Sequence, residues 1–249
     1  KLAALHPEFQ IIGIDCGDNL RFCRENYPFG TWLEADLERC DTLSFTDDLL
    51  EKSVVICSDV IEHLVNPASL LHTLRTVMER AQVALLSTPE RDLTRGDADS
   101  GPPANPCHAR EWNLGEFVRL LRSAGLRPGF AGLTLSHNRD PAPKTILVAL
   151  ANAHWPEETV DRLNVACQLG LARLTWAGPG SPGAQPQAMG DAAERNDLAA
   201  HLQQAERDLL RDDLNGASGS LRKALALAPD DPRLIIAHGS ILLRLGEME

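Results

Sequence analysis

Nowhere in the 249-residue chain do 18 apolar residues run together, so no segment reads as a membrane-spanning helix. No secretory signal pattern is visible either. Positive charge is in short supply, with 24 Lys and Arg against 35 Asp and Glu and a formal charge of −11. That balance argues against a nucleic-acid backbone or an anionic membrane as the main partner. The six cysteines, at 16, 23, 40, 57, 107 and 167, form no CxxC pair, and several lie in apolar contexts. Reduced structural thiols in a cytoplasm are the expectation. The first residue is Lys1 rather than Met, and Lys1–Leu5 reads as the last turn of a helix, so the chain reads as a piece of a longer protein.

What is present is a regular β-α alternation. The stretch Ser53–Pro67, SVVICSDVIEHLVNP, organises it. Val54-Val55-Ile56-Cys57 reads as a short buried strand that stops at Ser58-Asp59. Ile61-Glu62-His63-Leu64 follow, and Asn66-Pro67 open a helix. Open parallel α/β sheets bind ligands beyond the carboxyl ends of their strands. Gln10–Asp15 and Trp32–Asp36 are two earlier apolar runs that end in acids, and Val83–Pro89 is a fourth strand. Asn19–Asn26 has helical spacing, and Pro67–Arg80 is amphipathic with Leu70, Leu71, Leu74, Val77 and Met78 on one face. The Gly-, Pro- and Asp-rich stretch 91–107 reads as a long loop. Leu114–Ala124 is a helix stopped by Gly125, and Phe130–Ser136 and Thr145–Ala151 close the sheet as an antiparallel edge joined by a loop.

Beyond residue 151 the character changes. Residues 1–152 form the α/β unit and 153–176 a helical extension. AGPGSPGAQPQAMG over 177–190 is a flexible linker, and 191–249 are helical. Ala217, Leu221, Ala224 and Pro229 fall at spacings of 4, 3 and 5, and the pairs Ala205/Gly239 and Leu209/Leu243 are 34 residues apart. This tail resembles the tetratricopeptide repeat, one repeat over about Leu198–Asp231 and the first helix of another from Pro232. A plain helical hairpin is the alternative. The resemblance implies a protein partner held by the helices.

Several residues carry chemistry. Asp15 stands where a mononucleotide-binding sheet keeps an acceptor for ribose hydroxyls, though Asp is also favoured as a helix N-cap. Asp36, at the next strand end, could meet an adenine amino group or cap a turn. Asp59, Glu62 and His63 would share one face of a helical turn, and carboxylates with an imidazole suit Mg²⁺ or Mn²⁺. His108, in Asn105–Trp112 past the long loop, could reach the same edge. The favoured reading has no metal. His63 or His108 then serves as general base on a substrate hydroxyl, with Glu62 beside them, because imidazole titrates near neutrality. Helix capping by Glu62-His63 and a surface position for His108 are the plain alternatives.

In order and spacing, Gly13-Ile14-Asp15, Glu34-Ala35-Asp36, Ser58-Asp59-Val60-Ile61-Glu62-His63-Leu64 and Ser87-Thr88-Pro89 resemble class I S-adenosylmethionine-dependent methyltransferases. The likeness is nearest to the group that includes the ubiquinone-biosynthesis O-methyltransferases, and it covers about residues 1–151. It implies a Rossmann-like, mostly parallel sheet with an antiparallel edge, its first strand missing, followed here by the helical repeat segment. It implies S-adenosylmethionine as cofactor, with Asp15 on the ribose, Asp36 on the adenine side, and Ser58 and Asp59 near the methionine part. Small-RNA 2′-O-methyltransferases and some ubiquinone-pathway enzymes carry a similar ExxEH metal site, where this sequence has Asp59 in place of the first Glu. One departure is plain: the family's glycine-rich loop is not in this sequence and would lie immediately before Lys1. The sheet is therefore expected to lack a central member, and this chain to bind the cofactor poorly.

The expected activity is O-methylation of a small molecule or glycan. Methyl transfer needs alignment more than a nucleophilic triad, because proximity alone can supply about 7–11 kcal/mol. The alternatives are a non-catalytic methyltransferase-like scaffold carrying repeats and a nicotinamide-dependent oxidoreductase. The latter is disfavoured because a DxxEH block at a strand end has no role in hydride transfer.

Overall fold

The computed structural model describes residues 7–39, 43–97, 99, 101–135, 143–176 and 192–245. The expected helical turn at 1–5, the linker at 177–190, Cys40 and the last four residues lie outside the described residues.

Two sheets carry the α/β part. In the first, β1 (Ile12–Asp15) and β2 (Thr31–Glu34) pair in parallel, with Asp15 opposite Glu34 and α1 (Gly17–Asn26) as the crossover. The Trp32 ring lies over Gly13 so closely that a Cβ there would sit 2.1 Å from it, so only glycine admits the ring. The second sheet has the order β3-β4-β6-β5. Its β3 (Val54–Ser58) and β4 (Val83–Pro89) are parallel, joined through α3 (Ala68–Met78). β6 (Thr145–Ala151) runs antiparallel to β4, and β5 (Pro128–Thr134) runs antiparallel to β6. The mixed α/β architecture with parallel crossovers and an antiparallel edge is thus the expected one. The sheet is broken between β1 and β3, where the sequence is expected to lack a central strand.

The core lies between β3-β4-β6 and the helices on one face. α3 buries Leu70, Leu71, Leu74, Val77 and Met78, the stripe its periodicity specifies. α5 (Leu114–Ser123) begins in a capping box, in which Asn113 accepts from the Glu116 N–H and Glu116 from the Asn113 N–H, and it buries Phe117 and Leu121 completely. Each such side chain contributes on the order of 1.5–3 kcal/mol by leaving water.

α6 (Glu157–Trp176) has two apolar faces. Leu163, Cys167 and Leu171 pack on the sheet with Phe130 and Ala149, while Val165 and Leu169 join the helical unit. That unit comprises α7 (Ala192–Leu210), α8 (Leu214–Leu227) and α9 (Pro232–Leu245). The small residues Ala205, Ala217, Ala224 and Ala237 are fully buried, which lets the helices approach closely.

Three local expectations need correction. Val54 and Ile56 are 59% and 57% exposed, so the run is not a buried strand. β3 is the edge of its sheet, and only alternate residues such as Cys57 face the core. Residues 91–107 are not all loop: α4 (Arg91–Arg95) forms because the Glu90 side chain caps it, accepting from the Leu93 N–H at 2.7 Å. The second strand ends at Glu34, which leaves Asp36 in the following turn. One element went unexpected: the short helix α2 (Asp47–Leu50), capped by Thr46, had no periodic signal.

Candidate functional site

β3 ends in a small polar network. The Ser87 hydroxyl donates to Asp59 Oδ1 at 3.2 Å, so the 2.7 Å contact between Ser58 and Ser87 hydroxyls is donated by Ser58. Asp59 takes a left-handed backbone, φ +52°, which Asp tolerates better than most residues. Its N–H still bonds the Ser87 carbonyl at 3.0 Å. This reversal turns the chain into a one-turn 3₁₀ helix, Ile61–His63, that buries Ile61 and Glu62 and leaves His63 outside. Asp59 therefore precedes the helical turn rather than starting it, and the face expected to join Asp59, Glu62 and His63 does not form.

Glu62, His63 and His108, the residues expected to carry the base chemistry, come together instead. Glu62, His63 and His108 each offer one ligand atom, and these atoms lie within 4.8 Å of one another. The two imidazoles meet edge-on, with ring centres 4.8 Å apart. His108 is brought in by the backbone: the Glu62 carbonyl accepts from the N–H groups of Ala109 at 2.7 Å and Arg110 at 3.2 Å. The segment is held from behind by Trp112, buried against Phe117, and by the bridge between Glu90 and Trp112.

Glu62 is the unusual residue. It is 1% exposed, and neither carboxylate oxygen has a hydrogen-bond partner of acceptable geometry. The Thr88 hydroxyl, buried beside it, approaches the carboxylate without making a hydrogen bond of acceptable geometry. Burial pushes the Glu62 carboxyl above its usual range, and the Asp59 charge adds to that. Its own backbone N–H, Thr88 and His63 pull the other way. A buried carboxylate without partners is costly, and a cation or proton shared with the two imidazoles would remove the cost. Cys57, also buried, has its thiol pushed up to about 12 by burial first and the Glu62 charge second, which suits an inert structural thiol.

The network assigns the imidazole protons. His63 Nδ1 lies 2.9 Å from the Cys107 carbonyl, which only accepts, so Nδ1 carries the proton and Nε2 faces away from that bond. The chemistry of the three groups, two nitrogens and a hard oxygen, fits a first-row divalent cation such as Mn²⁺, Fe²⁺ or Zn²⁺ better than Mg²⁺. It equally fits a base pair of imidazoles polarised by a carboxylate.

The cofactor-side residues are placed less closely. Asp15 ends β1 half-buried, and among the described residues its carboxylate meets only the Cys16 N–H, at 2.8 Å. Asp36 is exposed. It caps its turn by accepting from the Glu38 N–H at 3.0 Å and pairs with Arg39 at 3.5 Å. Ser58 and Asp59 stand at the same carboxyl edge as Glu62, on the neighbouring sheet. Sequence reasoning did not single out Thr88, Asn105 or Glu111. The Ser87-Thr88-Pro89 strand end and the Asn105–Trp112 segment were the only signals that could have raised them.

No family model matches the chain. Over 160 residues it is 28% identical to a probable S-adenosylmethionine-dependent methyltransferase of Mycobacterium tuberculosis, an alignment that covers 60% of this chain and 56% of that protein. It is 32% identical over 160 residues to a probable S-adenosylmethionine-dependent methyltransferase of Mycolicibacterium smegmatis, covering 60% of each. Among solved structures, a chain in the complex of the Haloferax volcanii Trm112 methyltransferase activator with its methyltransferase aligns at TM-score 0.45 and 14% identity. That alignment covers 61% of this chain and 77% of that one. The chain spans about three fifths of the length of the curated relatives it matches, which are named as probable S-adenosylmethionine-dependent methyltransferases.

Proposed function

We propose that this chain carries most of an S-adenosylmethionine-dependent methyltransferase unit that methylates an oxygen of a small molecule or glycan. The observation that carries the acceptor side is the convergence of Glu62, His63 and His108 at the carboxyl edge of β3 and β4. S-adenosylmethionine, when bound, supplies a methyl carbon already activated by its sulfonium. The residues of this chain then have three tasks. Asp15, with one carboxylate oxygen free of the Cys16 N–H, accepts from ribose hydroxyls. Asp36 faces the adenine side, and Ser58 and Asp59 line the methionine side. His63 or His108 takes the acceptor's hydroxyl proton on Nε2, and Glu62 holds the resulting positive charge.

The unpartnered oxygens of Glu62 favour a second reading of the same group. A divalent cation would be held by Glu62, His63 and His108 and would supply positive charge beside the acceptor oxygen. The helical unit α7–α9 is read as a tetratricopeptide-type surface for a protein partner, and the free thiols as those of a cytoplasmic protein. No described helix is long and apolar enough to cross a membrane.

The test is calorimetric titration of S-adenosylmethionine into this chain and into the whole protein, with Asp15→Ala beside each. Binding that the substitution weakens about tenfold or more supports the assignment, in line with loss of hydrogen bonds to a charged acceptor at about 1.5–3 kcal/mol. Absence of binding in both forms overturns it.

A further inference from the structure

His108 is held at both ring nitrogens, and the partners leave no freedom in the assignment. Asn105 Oδ1 accepts from the Cys107 N–H at 3.0 Å, so the other end of that amide, Nδ2, is the atom 2.9 Å from His108 Nε2. An amide nitrogen only donates, so Nε2 presents its lone pair. Nδ1 must then carry the proton, and it lies 2.7 Å from Glu111 Oε1. The other oxygen of Glu111 accepts from Arg95 at 3.3 Å. Arg95 is itself anchored by Asp99 at 2.8 and 3.1 Å and by the Gly101 carbonyl at 2.7 Å. Both members of the Arg95–Glu111 pair are nearly closed to solvent, with side chains 5% and 4% exposed. A carboxylate buried this way is placed for a purpose that a surface ion pair does not need.

We propose that Glu111 is a positioning residue that locks His108 as the Nδ1–H tautomer, so that Nε2 is the nitrogen left to serve the Glu62–His63 group. Asn105 holds that lone pair until an acceptor proton or a cation displaces it. The proposal rests on the reading of Glu62, His63 and His108 given above and extends it to the residues behind them. It ties Arg95, with its partners Asp99 and Gly101, to the state of the site. Carboxylates that hold an imidazole by its far nitrogen fix ring orientation and raise the basicity of the near one.

The sharp variant is Glu111→Gln, which keeps the shape. Arg95 can only donate, so the new amide must turn its oxygen to Arg95 and its NH₂ to His108 Nδ1. At Nε2, Asn105 Nδ2 also only donates, so the proton moves there cleanly only once that donor is removed, in Asn105→Ala/Glu111→Gln. The measurement is ¹⁵N–¹H correlation spectroscopy of the imidazoles, at a pH where they are neutral. Wild type is expected to show His108 protonated at Nδ1, and Asn105→Ala/Glu111→Gln at Nε2. Titration with Mn²⁺ alone is then expected to show affinity lowered 10- to 100-fold in the variant, the range for lost outer partners of ligating histidines. In the double variant Arg95→Met/Glu111→Gln the amide is free to turn, and the Nδ1–H form is expected to return. An unchanged tautomer in Asn105→Ala/Glu111→Gln overturns the proposal, as does a wild type protonated at Nε2. If the tautomer inverts but Mn²⁺ binds neither protein, the positioning role stands and the cation reading of the site falls. Asn105→Ala should bind Mn²⁺ at least as tightly as wild type, and weaker binding would remove Asn105 from its placeholder role.

Discussion

Replacing Glu62 by Gln should make the metal-free protein more stable, not less, although Glu62 lies at the centre of the candidate site. The side chain is 1% exposed, and its carboxylate oxygens lack partners. Burial without partners costs about 1–3 kcal/mol for a polar group and more for a charge. Gln removes the charge while keeping the shape, so a gain of about 1–3 kcal/mol is expected at pH 8, which for a chain of this size raises Tm by about 2–4 °C per kcal/mol. The gain should depend on pH. Burial raises the Glu62 carboxyl above its usual 4.5, so the native state binds its proton more tightly than the unfolded chain does. The penalty is therefore absent below about pH 4.5 and grows as pH rises through the raised value. Thermal melts of wild type and Glu62→Gln at pH 4 and pH 8, in chelator, test this. The difference should be largest at pH 8 and shrink towards pH 4. Adding Mn²⁺ should reverse the order if the site takes a cation, since a ligand at 100 times its Kd stabilises by about 2.7 kcal/mol. A Glu62→Gln protein that melts below wild type at pH 8 in chelator, by the same margin as at pH 4, would refute the view that this carboxylate is strained.

Two further outcomes bear on the scaffold. Phe117→Ala should cost about 3–5 kcal/mol in urea denaturation, because the ring is fully buried and packs 5.7 Å from Trp112, which holds the segment carrying His108; a loss under 1 kcal/mol would mean the site's support lies elsewhere. A chain ending at residue 176 should keep one cooperative melt but at lower temperature, since Leu163, Cys167 and Leu171 stay on the sheet while Val165 and Leu169 lose their cover. A non-cooperative melt would mean the sheet needs the helical unit.

Much of the fold was readable because its signals are local. The strands Val83–Pro89 and Thr145–Ala151 appear at the expected residues, and α3 buries the stripe that helical spacing marks. Where sequence reading missed, pairing or capping decided. Val54 and Ile56 look like core residues by type, but β3 is an edge, and being an edge is a property of the sheet rather than of the strand. The helix at Arg91–Arg95 depends on one side chain, Glu90, that also accepts from the Leu114 N–H at 3.1 Å, a contact between residues 24 apart.

The sequence by itself determined the β-α alternation, the acids at the ends of the first strands and the presence of Glu62 and His63 after the third. These follow from short-range rules of periodicity, propensity and strand-end chemistry. Only the tertiary structure decided which groups meet. A positive φ at Asp59 removed it from the turn it was expected to begin. Backbone hydrogen bonds from Ala109 and Arg110 to the Glu62 carbonyl brought in His108 from 46 residues away, with Glu111 behind it. Neither event leaves a local mark, because each is settled by hydrogen bonds between segments that become neighbours only once the chain has folded.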